Sequence, residues 1–210
     1  MNRKEKNALS RQRILEATMR EFSAKGYANA SLNTVCAEHN ISKGIIYHYF
    51  KDKDELYLLC VKECFDELTA YMKGIADELT GMAEERIQAY FDARIRFFAN
   101  NPICFGIFAD ASFNTPVTLA GQIADCRRQF DMLNISVLTN LLNGESLRKG
   151  ISVQAIVEDF SMYMDFFNMR FKDVLRTADS CENIIREHEE RCHRQLDIML
   201  RGVLGENDAK

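Results

Sequence analysis

Side chains able to donate hydrogen bonds to a polyanion are gathered in the segment 31–50. Read as two short helices, Leu32 to His39 and Lys43 to Phe50, this segment turns Lys43, Tyr47 and His48 outward on the second helix. Gly44 has no side chain to obstruct close approach there. Ser42 at the N-cap leaves amides near the helix start, which favour phosphate. Val35, Cys36, Ile41, Ile46 and Phe50 fall inward and are small or apolar. The turn needs a residue that tolerates left-handed backbone angles, and Asn40 is its best non-glycine candidate. Two short helices joined in this way form a helix-turn-helix, whose second helix enters the major groove of DNA. Taken singly, Tyr47 and Tyr49 can pack in a helical core and His48 can cap a carbonyl. The whole set at this spacing points to nucleic acid.

A second chemistry is conceivable at His188 and Cys192, four residues apart with Glu189 and His193 beside them. Cys60 and Cys64 share that spacing. Two ligands on one helical face can begin a zinc site, but about four are usually required. A metal- or thiol-responsive DNA-binding sensor therefore stands as the alternative function, with no metal site assigned. The chain has seven cysteines, an odd number without a CxxC pair, and these read as small buried hydrophobes. Glycine-rich phosphate loops, GxSxG and HExxH are missing from the sequence, so neither an enzyme nor a cofactor is expected.

The elements that must position these groups are helical. The chain has 210 residues, 47% apolar and 28% charged, with two prolines, Pro102 and Pro116. No run of alternating apolar residues argues for a strand. The expected first helix runs from about Lys6 to Lys25, with Ile14, Leu15, Thr18 and Phe22 inward, and Gly26 stops it. Ser31 caps the second helix. Longer helices follow at about 54–79, 82–100, 103–113, 116–142, 152–177 and 180–204, with 205–210 as a frayed tail. The expected fold is thus all-α, about nine helices in two domains. Residues 1–53 are expected to form a three-helix DNA-binding domain, and 54–210 a larger helical domain. No apolar stretch suits a membrane span or a signal peptide, so a cytoplasmic protein without a membrane partner is expected. Charge is divided unevenly: residues 1–53 carry ten Lys/Arg against five Asp/Glu, a net +5, while 54–210 carry a net −9. A basic head on an acidic body fits a protein that touches polyphosphate at one end.

The phrases RQRILEATMREFSAKGYANA and SLNTVCAEHNISKGIIYHYFKDKDELY together resemble the DNA-binding domain of the TetR family of bacterial repressors. The likeness covers about Arg11 to Leu58 and rests on Phe22, Gly26, Tyr27, Ser31, Ser42, Gly44, Tyr47, Tyr49, Phe50, Lys53 and Leu56 at their spacings. It implies that Ser31, Tyr47, His48 and Lys53 contact the DNA backbone or base edges. It also implies that Lys43 and Gly44 open the recognition helix, while Tyr49 and Phe50 serve core and hinge packing. Asn40 replaces the family's usual turn glycine and Cys36 its common alanine. Ile45, often small or polar in relatives, can contact a thymine methyl.

The resemblance further implies a homodimer on a palindromic double-stranded operator, released by a small-molecule effector through a population shift. Arg94, Phe97, Phe98, Phe105, Phe108, Met132, Tyr163 and Phe167 are the candidate effector contacts, with Arg96, Asp110 and Arg127 as further polar candidates. Their aromatic content suggests a largely apolar or flat ligand. Stripes on the last two helices read as the dimer interface. One comprises Ile156, Phe160, Tyr163, Phe167, Phe171 and Val174, the other Cys181, Ile185, His188, Cys192, Leu196, Met199 and Val203. The same stripes can also serve as ordinary core.

Overall fold

The computed structural model describes residues 2–143, 145–175 and 181–204, with side chains for all of these except 172–175, 181 and 182. The expectations for Val174, the side chain of Cys181 and the tail 205–210 lie outside the described residues. Among those residues the fold is all-α: α1 (Arg3–Asn29), α2 (Leu32–His39), α3 (Lys43–Tyr49), α4 (Lys53–Glu78), α5 (Ala83–Asn100), α6 (Pro102–Phe113), a 3-10 turn (Val117–Leu119), α7 (Ala120–Leu142), α8 (Val153–Leu175) and α9 (Cys181–Val203). No single described helix is long and apolar enough to cross a membrane.

Most boundaries have local causes. Asn2 accepts the Glu5 N–H at 2.9 Å, and the Glu5 carboxylate accepts the Asn2 N–H at 2.9 Å. This capping box starts α1 earlier than the apolar stripe suggests. Gly26 does not stop α1 but kinks it, at φ 68° and ψ 170°, and one further turn follows to Asn29. Pro102 opens α6, where a missing N–H costs nothing. Pro116 precedes the 3-10 turn instead of opening α7 directly. Ser31 occupies the N-cap of α2 but makes no side-chain cap bond. Its N–H instead donates to Glu21 Oε1 at 2.9 Å, a carboxylate that Lys25 also holds.

The helices pack into two compact units. One contains the residues up to Glu67 together with Asn101–Arg128. Its core includes Ile14, Leu15 and Phe22 of α1, Val35, Ile46 and Phe50 around the short helices, Leu56 and Tyr57 of α4, and Ile107 of α6. Each such side chain contributes ~1.5–3 kcal/mol by leaving water. In this unit α6 lies closely against α1, because Gly106 leaves room for the Ser23 backbone. The other unit contains Leu68–Asn100 and the residues from Gln129 onward, where α9 packs on α5 and α8.

Candidate DNA interface

α3 owes its orientation to its inward side. Ile46 and Phe50 are buried, and Arg11 of α1 lies over the Phe50 ring at 5.1 Å. Asn40 closes α2 at φ 52° and ψ 45°, the left-handed conformation that the steep turn requires. The Arg13 guanidinium donates to the His39 carbonyl at 3.0 Å, satisfying an acceptor at the end of α2. Ser42 caps α3 through its side chain, which accepts the Ile45 N–H at 3.3 Å.

This framework leaves one face of α3 open. Lys43, Gly44, Ile45, Tyr47 and His48 are all exposed, Ile45 at 47% and Tyr47 at 48%. Ile45 and Tyr47 thus stand in water on a seven-residue helix. Lys43 Nζ stands 6.0 Å from the Tyr47 ring centroid, so a cation and a phenol share one edge. Nothing within 4 Å would meet a Cβ at Gly44. Tyr49 turns the other way, and its hydroxyl bonds Asn7 of α1 at 3.2 Å.

Lys53 is the first residue of α4, where the helix dipole disfavours a cation and favours an anion. It is held by an aromatic face: Nζ lies 4.8 Å from the Tyr27 ring centroid. The Tyr27 hydroxyl donates to Asp54 at 2.6 Å, and that bond, with burial, pushes its pKa up to about 12. Asp52 Oδ1 accepts the Glu55 N–H at 2.8 Å, and the Glu55 carboxylate accepts the Lys51 N–H at 2.6 Å, so the entry to α4 is tightly tied.

A sequence model of bacterial regulatory proteins of the TetR family matches residues 14–60, the stretch that holds this constellation. Residues 14–60 thus match the DNA-binding domain of TetR-family regulators. An HTH-type transcriptional regulator of Staphylococcus aureus (strain USA300) is 30% identical over 92 residues, covering 44% of this chain and 49% of that protein. The chain thus spans about half the length of that curated relative. Two solved structures share the fold over most of both chains. FadR from Bacillus subtilis, in complex with stearoyl-CoA, has TM-score 0.64 and 15% identity, covering 86% of this chain and 96% of the other. A TetR-family regulator from Agrobacterium tumefaciens has TM-score 0.64 and 18% identity, with 88% and 98% covered.

Beyond the TetR-family helix-turn-helix, the sequence-selected residues separate. Phe105 and Phe108 belong to the unit that carries α3, where Phe108 packs on Phe65 at 5.4 Å. Arg94, Phe97, Phe98, Met132, Tyr163 and Phe167 belong to the other unit. Phe97 and Phe98 are core, Met132 is 56% exposed on α7, and Tyr163 stacks on Phe167 at 5.8 Å. Arg94 is buried, flanked by Phe91 and Phe130 and paired with Glu189. Of the other polar candidates, Arg96 is exposed, Arg127 half-buried, and Asp110 engaged by Tyr27 and Tyr57.

The stripes expected at the dimer interface lie as follows in the single chain. Phe171, Ile185, His188, Cys192 and Leu196 are buried within this chain, while Phe160 and Met199 are half-buried. α8 and α9 pack on each other, which covers the five buried positions within the chain and leaves Phe160 and Met199 partly open. Among the described residues of these helices, the large apolar groups that remain in water are Met162, Phe166 and Met169 of α8, 60–64% exposed, and Ile198 of α9. Their spacing of four and three residues along α8 is visible in the sequence, but the other stripe is longer and more aromatic.

The cysteine–histidine pairs also read differently in place. His188 Nδ1 lies 3.0 Å from Glu189 and Nε2 2.9 Å from Asn168, so both ring nitrogens are engaged. Among the described residues, no three His, Cys, Asp or Glu side chains come together in a way that could hold a metal ion. Burial pushes the Cys60, Cys64 and Cys192 thiols up, away from the reactive thiolate.

Proposed function

We propose that this chain is a ligand-responsive transcriptional repressor of the TetR family that binds a palindromic operator as a homodimer. The observation that carries this reading is the outward face of α3. Lys43, Ile45, Tyr47 and His48 stand in solvent on a short helix whose opposite side is locked in the core. Lys43, the α3 N-terminus, Tyr47 and Ser31 suit phosphate oxygens, and Ile45 suits the methyl group of thymine. Lys53 at the start of α4 adds a further phosphate contact. One seven-residue helix reads only a few base pairs, which favours a two-fold pair of heads.

The dimer face in this reading is Met162, Phe166 and Met169 with Ile198, because these are the exposed large apolar groups among the described residues of α8 and α9. An effector acts through the unit that contains Arg94, Phe97, Phe98, Tyr163 and Phe167. Its largely aromatic surroundings suit an apolar or flat molecule. The complex of B. subtilis FadR with stearoyl-CoA supports a small-molecule effector of that general kind. Effector and operator then oppose each other reciprocally.

The test is fluorescence anisotropy with a duplex recovered by selection from a random pool. Tyr47→Ala and Lys53→Ala are expected to weaken binding about tenfold or more while the dimer persists. The logarithm of wild-type affinity is expected to fall steeply with the logarithm of salt concentration. Undiminished affinity in both variants contradicts the interface.

A further inference from the structure

We infer that Asp110, on α6, is a positioning residue for the DNA contact at Lys53, acting through Tyr27. The inference rests on the DNA-binding reading above. Four observations within one compact unit support it.

First, the Asp110 carboxylate closes the kink of α1. Its Oδ2 accepts the Tyr27 N–H at 2.7 Å, across 83 residues of sequence. Gly26 has the left-handed φ that makes this N–H available, and a Cβ there would come within 2.5 Å of Asp110 Oδ1. The carboxylate therefore occupies the space that the glycine leaves. Second, the same Oδ2 accepts the Tyr57 hydroxyl at 2.7 Å. Tyr57 is fully buried, and its ring lies 5.0 Å from those of both Tyr27 and Phe22, so the carboxylate is anchored to α4 as well as α1. Third, the Tyr27 side chain, thus held, offers its ring face to Lys53 Nζ at 4.8 Å and its hydroxyl to Asp54 at 2.6 Å. Fourth, α6 is seated on α1 at Gly106, where a Cβ would meet the Ser23 carbonyl oxygen at 2.5 Å, so Asp110 projects from a fixed platform.

A flexible lysine must lose rotamer freedom to grip a phosphate, and an aromatic face that pre-orders it lowers that cost. Without Asp110, the Tyr27 amide loses its acceptor and the ring loses its fixed place beneath Lys53. The role is chiefly one of placement, beside a direct attraction between the Asp110 carboxylate and the Lys53 ammonium. Both donors converge on a single oxygen, so asparagine can accept them through its one carbonyl oxygen.

The test is a double-mutant cycle on the full-length protein, measured as affinity for the selected duplex across a salt series. Lys53→Ala is expected to weaken binding roughly tenfold and to reduce the slope of log K against log salt by about 0.9 per protomer. Asp110→Ala is expected to do nearly the same, and Asp110→Asn to stay within about twofold of wild type. Adding Lys53→Ala to Asp110→Ala is expected to cost almost nothing more. A merely structural role predicts the reverse: unchanged slope and additive losses in the double variant, and either result overturns the inference. If Lys53→Ala alone is silent, the Lys53 contact and this inference fall together. If Lys53→Ala weakens binding while Asp110→Ala leaves the slope intact, only this inference falls. Should Asp110→Ala not fold, Asp110→Thr, whose shorter hydroxyl cannot reach the Tyr27 amide, carries the same cycle.

Discussion

Glu189 of α9 receives both Nε and Nη2 of Arg94 on one oxygen, Oε2, at 2.6 and 2.5 Å. Its other oxygen lies 3.0 Å from His188 Nδ1. Both members of the pair are buried, so the usual weakness of surface ion pairs does not apply. Burial works against the Glu189 charge, but the Arg94 guanidinium and the His188 ring outweigh it and hold the carboxyl below its ordinary range. The same pairing raises Arg94, against the cost of its own desolvation.

Breaking this pair on one side strands a buried charge. Arg94→Met and Glu189→Leu singly are expected to cost about 3–5 kcal/mol, and the double variant far less than the two losses together. Chemical denaturation at fixed protein concentration checks this. The pH dependence has a definite sign. A depressed folded pKa gives stability that is complete above the unfolded carboxylate value, about 4.3, and is lost as pH falls through the folded one. Wild-type stability should therefore drop on acidification below about pH 4 more steeply than that of the double variant.

Two glycines make the α1–α6 contact. Gly26→Ala places a side chain at φ 68° and ψ 170° and against the Asp110 carboxylate. It is expected to cost about 1–3 kcal/mol from backbone strain alone. Gly106→Ala puts a Cβ against the Ser23 backbone, which cannot yield as a side chain would. Its expected cost is of similar size. Thermal unfolding of both variants, with Gly74→Ala as a control where nothing lies within 4 Å, measures the difference.

Asn40 carries the turn in a left-handed conformation at φ 52°. Asn40→Gly is expected to leave stability and DNA affinity within about 0.5 kcal/mol of wild type. Asn40→Val is expected to destabilise by about 1–2 kcal/mol, because a β-branched side chain resists that conformation. Denaturation midpoints compared across the three proteins check it.

Phe166 tests which side of α8 meets a second copy. It is 60% exposed, between the exposed Met162 and Met169. Phe166→Glu is expected to raise the dimer dissociation constant by on the order of a hundredfold, since a charge would be buried without a partner. Sedimentation at micromolar concentration is the measurement. A dimer of unchanged stability sends the interface elsewhere.

The legible part of this fold was local. Asn40, the Ser42 cap and the inward Ile46 and Phe50 follow from spacing within twenty residues, and so does the outward set on α3. What could not be read depends on contacts far along the chain. α1 passes beyond Gly26 because an acceptor arrives from Asp110, 83 residues after Tyr27. Arg94 is core because Glu189 meets it from 95 residues away. On α8 both faces are apolar, so periodicity alone cannot tell the stripe of Phe160, Tyr163, Phe167 and Phe171 from that of Met162, Phe166 and Met169. Only the position of α9 decides which is more covered, with Phe171 buried and Phe160, Tyr163 and Phe167 half-buried.

The central claim is that α3 and the start of α4 read DNA, two heads at a time. Selection of bound duplexes from a random pool tests it most directly. The expected product is an inverted repeat whose half-site centres lie about 34–36 Å apart, or a multiple of that, with thymine enriched where Ile45 meets the groove. Recovery of no shared sequence, with weak binding to every duplex at moderate salt, would contradict it.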